Sequence, residues 1–260
     1  MDDILVTGGS GNLGRATVAR LRASGHDLRI LSRSGATDAV GGHVDRGDLV
    51  QGDLVSGEGL PEALTGVRRV IHLATTAGGT HDVVATENLV AEAERVGVEH
   101  IIVMSIVGID EIPLGYYQHK LGVESAVKDS PVPHTILRST QFHSFVERIF
   151  SAQRWSPVVF APAFSLQPIA VEDVAVRLTE LVEGDAAGRV PDIGGPEQRT
   201  AKDLARLWSA AAKVRRPIAS LTLPGATFAG FAAGHNLVPG PPYGTTTFES
   251  DLASRYGVVA

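Results

Sequence analysis

Short runs of apolar residues alternate with longer segments of mixed polarity through the first half of the chain. Each short run is mainly apolar, which is typical of a strand covered on both faces of a parallel sheet. The pattern predicts strands at these positions: Ile4–Val6, Leu28–Leu31, Leu49–Gln51, Val70–Leu73, Ile101–Met104 and Thr135–Leu137.

The segments between these runs place apolar residues three and four positions apart, which is typical of a helix that packs on a sheet. Helices are expected around Leu13–Leu21, ending near Gly25, and over Val83–Val96. Strands that alternate with helices form parallel sheets through right-handed crossovers. The sequence therefore predicts an α/β fold, a Rossmann-type doubly wound parallel sheet.

Beyond about Gln141 the pattern changes to irregular, proline-containing segments, followed by helices expected over Val171–Glu183 and Ala201–Ala212. We expect residues 1–140 to form a dinucleotide-binding core, and residues 141–260 to form a smaller substrate-binding lid with elements that return to the core. A group of rings in this second part either lines a pocket for an apolar or aromatic substrate or forms the core of the lid. Its members are Phe142, His143, Phe145, Phe150 and Trp155.

The stretch "VTGGSGNLGR" brings four glycines into seven residues directly after the first strand. It reads as Gly8-x-x-Gly11-x-x-Gly14 or as Gly9-x-Gly11-x-x-Gly14, and both spacings give a tight turn that lets the backbone approach a diphosphate. The positive end of the following helix would hold the phosphates. A nucleoside-triphosphate loop is excluded, since Arg15-Ala16 stands where Lys and Ser or Thr are needed. The expected cofactor-binding residues here are Thr7, Gly8, Gly9, Gly11, Asn12, Leu13 and Gly14.

The end of the second strand predicts which nucleotide is bound. An acidic residue at this position would accept hydrogen bonds from the 2′-hydroxyl of NAD, but the chain has Ser32 and Arg33 there. Arginine is the preferred partner of a phosphate group, because its planar guanidinium donates two parallel hydrogen bonds. We therefore expect NADPH to be favoured over NADH.

A second candidate site follows the strongest predicted strand, which ends at Ser105. Tyr116 and Lys120 are four residues apart, so a helical segment would place the phenol and the ammonium on one face. A nearby ammonium favours the phenolate and lowers the pKa of the phenol. We expect Tyr116, Lys120 and Ser105 to form a catalytic group at the carboxyl ends of the strands, with Lys120 also holding the nicotinamide ribose.

Several longer motifs resemble the atypical, NmrA-like branch of the short-chain dehydrogenases/reductases, an NAD(P)H-binding group that includes small quinone and dye reductases. The matching stretches are "TGGSGNLGR", "SRSG", "GDL", "HLAT", "MSIVGID" and "YYQHKLGVE" in the first half, and "QPIAVEDVA", "DIGGPE" and "TFESDLA" in the second. The resemblance implies that Asp53, with Leu54 beside it, contacts the adenine, and that Ala74 and Thr75 line the cofactor near its ribose. It also implies the catalytic roles of Ser105, Tyr116 and Lys120.

Composition removes several other classes of protein. The formal net charge of −6 gives no general attraction to nucleic acid or to an anionic membrane surface. The chain has no cysteine, which excludes disulfides and thiolate metal sites, and its nine histidines show no metal-binding spacing, so no metal is expected. Neither a signal peptide nor an apolar run of membrane-spanning length is found, and a soluble, cytoplasmic protein is expected.

These observations predict an NADPH-dependent oxidoreductase that reduces a carbonyl, quinone or conjugated acceptor, a small apolar or aromatic molecule. Tyr116 would donate the proton, Lys120 would tune the phenol, and Ser105 would polarise the acceptor. Two alternatives remain open at this point. One is a non-catalytic sensor of NAD(P)H that alters a contact with a protein partner, and the other is an isomerase or cyclase without net redox change.

Overall fold

The structure of the protein, a computed structural model, describes residues 4–33, 48–75 and 79–257. Ser34 and Gly35 of the "SRSG" motif lie outside these ranges. The strands are β1 Ile4–Thr7, β2 Leu28–Ser32, β3 Leu49–Gln51, β4 Arg69–His72, β5 His100–Ile106, β6 His134–Ser139, β7 Val159–Pro162, β8 Ser165–Leu166, β9 Gly188–Arg189, β10 Arg199–Thr200 and β11 Ile218–Leu221. The helices are α1 Asn12–Ala23, α2 Leu60–Leu64, α3 Thr80–Val96, α4 Gly115–Lys128, α5 His143–Ser151, α6 Val171–Glu183, α7 Ala201–Ala211, α8 Ala226–Ala232 and α9 Phe248–Tyr256.

Seven of the described strands form one sheet in the order β3-β2-β1-β4-β5-β6-β9. β1 lies third in this order and pairs in parallel with β2 and β4, so that Ile4 pairs with Leu28 on one side and with Arg69 on the other. Every residue of β1 is buried, as its apolar run predicts. The order reverses direction between β1 and β4, and this is the position where doubly wound sheets bind their ligands. The predicted α/β fold is confirmed.

The chain divides into two compact units, and each combines three segments. The first unit contains Met1–Ser105, Gly115–Arg138 and Val174–Pro191, and the second contains Ile106–Leu114, Ser139–Asp173 and Asp192–Ala260. The middle segment of the second unit begins at Ser139, next to the boundary expected after residue 140. The core of the first unit packs between the sheet and its helices, with Leu5, Val70, Leu89 and Ile101 among its buried residues.

The second unit contains a helix where the apolar pattern indicated irregular structure. α5 buries His143, Val146 and Phe150, which recur at helical spacing. Phe150 is fully buried, with its ring centroid 6.0 Å from that of Trp208, and therefore belongs to the core of this unit. Phe145 and Trp155 are exposed. Of the two alternatives left open for this group of rings, a place in the core is therefore the one that applies to Phe150.

Candidate functional site

The glycine-rich turn is too tightly folded for a side chain at Gly8 or at Gly14. Gly8 has φ of +70°, and a Cβ added there would stand 2.7 Å from the backbone nitrogen of Ala74, just after β4. A Cβ on Gly14 would stand 2.1 Å from the carbonyl oxygen of Gly8. The amide of Gly11 closes the turn by donating to the Gly8 carbonyl at 3.0 Å. The close approach of these backbones explains the glycines at positions 8 and 14.

The turn leads directly into the N-terminus of α1. Gly11 is the N-cap and makes no side-chain capping bond, and the first turn, which contains Asn12 and Leu13, has no acidic residue. A helix start of this kind keeps its positive end available to an anion, because neither a capping side chain nor a carboxylate neutralises it. The residues present therefore fit the diphosphate of a dinucleotide.

A hydrogen-bond chain fixes the end of β1 against β4. Thr86 Oγ1 donates to the carbonyl of Asp82 at 2.7 Å, so His72 Nε2 must carry the proton that it shares with Thr86. His72 Nδ1 is then an acceptor, and Thr7 Oγ1 donates to it at 2.8 Å. Burial is the main cause that lowers the pKa of His72 to about 3, and the positive charge of Lys120 adds to it. His72 is therefore neutral, and the hydroxyl proton of Thr7 is engaged inside the protein.

The expected adenine end lies at the ends of β2 and β3. Arg33 is exposed directly after β2, and Ser32 is half-buried beside it. Asp53 Oδ1 accepts from the amide of Val55 at 2.7 Å, which orients the carboxylate in its loop. Leu54 is buried, and its carbonyl accepts from Asn88 Nδ2 at 2.9 Å. The contacts of these residues with a cofactor stay predictions.

Tyr116 and Lys120 lie in the first two turns of α4, as their spacing predicts. Lys120 is buried, which lowers the pKa of its ammonium, and the carboxylates of Asp82 and Glu124 oppose that shift. The pKa of Tyr116 is raised, chiefly by burial and further by Asp82, while a hydrogen bond with Thr75 opposes the rise. The expectation that Lys120 lowers the pKa of the phenol stays a prediction.

Ser105 is bonded to a buried group of charges. Its hydroxyl donates to Glu124 Oε1 at 2.6 Å, and Arg138 donates to both oxygens of the same carboxylate at 2.7 and 2.9 Å. Lys128 Nζ adds a fourth hydrogen bond at 3.0 Å. Glu124 has no exposed surface, and these partners lower its pKa to about 2 against the opposing effect of burial. Ser105 is therefore held by the protein, and its oxygen keeps only its lone pairs for a ligand.

Asp82 is a member of the site that the sequence motifs do not indicate. It lies in the first turn of α3 and is buried, with 4% of its surface exposed. Thr75 Oγ1 donates to Asp82 Oδ2 at 2.6 Å. The same carboxylate acts on the charges of Tyr116, Lys120 and His72. In the sequence alone, an acidic residue in a first helical turn is explained by the helix dipole, so nothing local marks it.

Close packing between α3 and α4 sets the distance between Asp82 and the Tyr116–Lys120 face. A Cβ on Gly122 would stand 2.8 Å from Val83 Cγ2. Glycine at this position therefore lets α4 approach α3 where both helices carry site residues. No group of three His, Asp or Glu side chains within the described ranges could hold a metal ion.

The turn, the helix start without a side-chain cap and the place of β1 between β2 and β4 in the parallel sheet together define the class of a dinucleotide-binding Rossmann protein. The chain belongs to a protein family described as NAD(P)H-binding, whose model matches residues 8–184. The resemblance to the NmrA-like branch, noted from the motifs, is confirmed at this level.

Three known proteins illustrate the relationship. A (4-alkanoyl-5-oxo-2,5-dihydrofuran-3-yl)methyl phosphate reductase from Streptomyces griseus is 29% identical over 211 residues, which are 77% of this chain and 70% of that protein. An NADPH-dependent quinone oxidoreductase from Escherichia coli, complexed with NADPH, has a TM-score of 0.80 at 19% identity, with 97% of this chain and 99% of that chain covered. For a nucleoside-diphosphate-sugar epimerase from Staphylococcus aureus the TM-score is 0.79 at 19% identity, with 96% and 99% covered.

At these identities the two solved structures show a shared fold. The family match and the reductase relative support the coarse class of an NAD(P)H-dependent oxidoreductase. No helix in the described part of the chain is long and apolar enough to cross a membrane.

Proposed function

We propose that the protein is an NADPH-dependent reductase that delivers hydride to a carbonyl, quinone or conjugated acceptor. The observation that carries the proposal is the pairing of two features in the first unit. A glycine-rich turn and a helix start without a side-chain cap suit a diphosphate, and a helix with Tyr116 and Lys120 follows strand β5. NADPH, when bound, supplies the hydride, and the protein supplies position and charge.

Tyr116 is the proposed proton donor. Its pKa is raised, so the phenol holds its proton at neutral pH, which is the state that a reductase needs before the proton is delivered. Lys120 is buried but keeps two carboxylates near it, and a bound cofactor's ribose would find its ammonium on the same helix face. Both residues act on the reduction step, and a protein that only senses NAD(P)H does not need a proton donor.

Ser105 has a different proposed role from the one the motif implies. Because its only hydroxyl proton is given to Glu124, its oxygen can accept a hydrogen bond without any rearrangement. Polarising a substrate carbonyl would require Ser105 to turn away from Glu124 and leave that buried carboxylate with one donor fewer. We therefore propose that Ser105 orients a ligand N–H or O–H group.

The class of acceptor is inferred from the chemistry and from the relatives. The Streptomyces griseus relative is named for a substrate with an oxo-dihydrofuran ring. Two further relatives, from Oryza sativa and Zea mays, are named divinyl chlorophyllide a 8-vinyl-reductases. Each is 26% identical to this chain, which spans 54% of the first protein and 55% of the second. These names favour an unsaturated acceptor, and a phenol next to the nicotinamide could protonate either a carbonyl oxygen or a carbon of the reduced double bond.

The proposal is tested by following NADPH oxidation with a panel of quinones, ketones and enones. The wild-type protein should oxidise NADPH with at least one class, and Tyr116→Phe should lose most of the turnover while NADPH binding, measured by fluorescence titration, stays close to that of the wild type. NADPH binding without oxidation by any member would support the sensor or the isomerase instead. Normal turnover in Tyr116→Phe would remove the proton-donor role.

A further inference from the structure

One hydroxyl in the site has two possible acceptors for a single proton. Thr75 Oγ1 donates to Asp82 Oδ2 at 2.6 Å, a short bond to a charged acceptor. Thr75 is also a hydrogen-bonding neighbour of the Tyr116 hydroxyl. A threonine hydroxyl has one proton and two lone pairs, so while it donates to Asp82 it can only accept from Tyr116.

The carboxylate that receives this proton is held firmly. The backbone carbonyl of Asp82 accepts from Thr86, and Thr86 is bonded through His72 to Thr7 at the end of β1. These residues are buried, and α3 packs against α4 through the contact between Val83 and Gly122. Asp82 is thus fixed to the glycine-rich turn on one side and to the helix of Tyr116 on the other.

We propose that Asp82 is a positioning residue of the reduction site, which controls through Thr75 whether a hydroxyl proton is available to the Tyr116 phenolate. The inference rests on the proposed role of Tyr116 as proton donor. Before the reaction, Tyr116 donates to Thr75 and Thr75 donates to Asp82. When the phenol gives its proton to the substrate, the O–H bond of Tyr116 breaks, and Thr75 rotates to donate to the phenolate without losing its own proton.

The charged groups around Tyr116 and Lys120 agree with this assignment. Asp82 on α3 raises the pKa of Tyr116, and the hydrogen bond with Thr75 lowers it. Three other titratable groups face the same region: Lys120 and Glu124 on α4, and His72 on β4. Tyr117 lies next to Tyr116, with a distance of 6.3 Å between the ring centroids. His72 is neutral, and the carboxylate of Glu124 is hydrogen-bonded to Ser105, Arg138 and Lys128. The carboxylate that raises the pKa of the Tyr116 phenol is therefore that of Asp82.

Substitutions of Asp82 and of Thr75 should shift the pKa of Tyr116 in opposite directions. Asp82→Asn removes the negative charge and leaves the Thr75 proton for the phenolate, so Tyr116 should ionise at lower pH. Thr75→Val removes the hydroxyl that, among the described residues, is hydrogen-bonded to the Tyr116 phenol, and it leaves Asp82 charged, so Tyr116 should ionise at higher pH. Thr75→Ser restores the hydroxyl and should move the titration back toward the wild-type position.

The measurement is a titration of phenolate absorbance on the cofactor-free protein, with Tyr116→Phe versions of each variant subtracted to isolate Tyr116 from the other three of the four tyrosines. Circular dichroism over the same pH range confirms that the protein stays folded. Glu87→Gln, an exposed change on the same helix, is the matched control and should leave the titration and NADPH oxidation as in the wild type. The basic limb of the pH profile of kcat/KM should move in the same directions.

Shifts of the same sign in Asp82→Asn and Thr75→Val, or no shift in either, would overturn the inference. If Asp82→Asn does not fold, Thr75→Val and Thr75→Ser decide alone: an unmoved titration in Thr75→Val overturns it. Because the titration needs neither cofactor nor substrate, failure of the proposed function is seen separately. Opposite shifts with no NADPH oxidation would leave the network in place without a reductase.

Discussion

Arg33 is the residue on which the proposed choice between NADPH and NADH depends. It is exposed directly after β2, and we propose that its guanidinium binds the 2′-phosphate of NADPH. Arg33→Ala should weaken NADPH binding by about 2 kcal/mol, roughly thirtyfold, because a charge-assisted hydrogen bond of this kind contributes that much. NADH binding should change little.

Isothermal titration calorimetry with both nucleotides checks this expectation. Arg20→Ala, which removes an exposed arginine from α1, serves as the control and should affect neither nucleotide. Equal weakening of NADPH and NADH in Arg33→Ala would show that the residue contributes general positive charge, and the assignment to the 2′-phosphate would be lost.

Sequence and structure agree best for the residues that belong to local motifs. The glycines of the first turn and the Tyr116–Lys120 pair are each recognisable within a few positions. Asp82, Glu124 and Arg138 are not, because their roles depend on partners that are distant in sequence. Glu124 accepts hydrogen bonds from Ser105, 19 positions away in the sequence, and from Arg138, 14 positions away. Only the packing of α4 against β5 and β6 brings these three side chains together.

At the scale of elements, the junction of β1 and α1 should be sensitive to added side-chain volume. Gly14→Ala places a Cβ where the Gly8 carbonyl oxygen lies, only 2.1 Å away, and neither backbone can move without opening the turn. We expect a loss of about 2 kcal/mol in the free energy of unfolding, as for other overpacked sites, and a loss of NADPH binding of at least about tenfold.

Gly115→Ala is the matched control for this change. Gly115 begins α4, and a Cβ there would meet nothing within 4 Å. Urea unfolding and NADPH titration of both variants should therefore separate them clearly. Wild-type stability and binding in Gly14→Ala would contradict the tight turn that the diphosphate site requires.

The elements themselves were predictable where the chain buries long apolar runs. The six predicted strands lie in the sheet. All of them except the edge strand β3 are largely buried, and strands covered on both faces leave a mainly hydrophobic signal. The seventh, β9, has only Gly188 and Arg189 and joins the sheet by backbone pairing with Thr135 and Ile136, so no side-chain pattern marks it. α5 did carry a helical spacing of buried residues, which its neighbouring prolines and aromatics obscured.

At the scale of the whole molecule, the buried carboxylate of Glu124 links stability to pH. Its pKa is lowered from 4.5 to about 2 in the folded protein, so its contribution is present above pH 4.5 and is lost as the pH falls toward 2. Glu124→Gln leaves the Arg138 guanidinium buried without its carboxylate, and we expect a loss of about 3–5 kcal/mol at neutral pH.

Urea unfolding at neutral pH and at about pH 3 measures both effects. The difference in stability between the two conditions should be smaller in Glu124→Gln than in the wild type, because the variant has no carboxylate to protonate at this position. Glu94→Gln, on the exposed side of α3, should keep the wild-type difference. An unchanged acid sensitivity in Glu124→Gln would mean that other carboxylates dominate.

The division of the chain into two interleaved units has a consequence for evolution and for protein engineering. The backbone passes from one unit to the other at five places, between residues 105 and 106, 114 and 115, 138 and 139, 173 and 174, and 191 and 192. Neither unit can be exchanged as a single cassette by recombination at one junction. A chimera that acquires the second unit of a relative must import three separate stretches, so new specificities in this lineage are expected to arise by point substitution more readily than by shuffling.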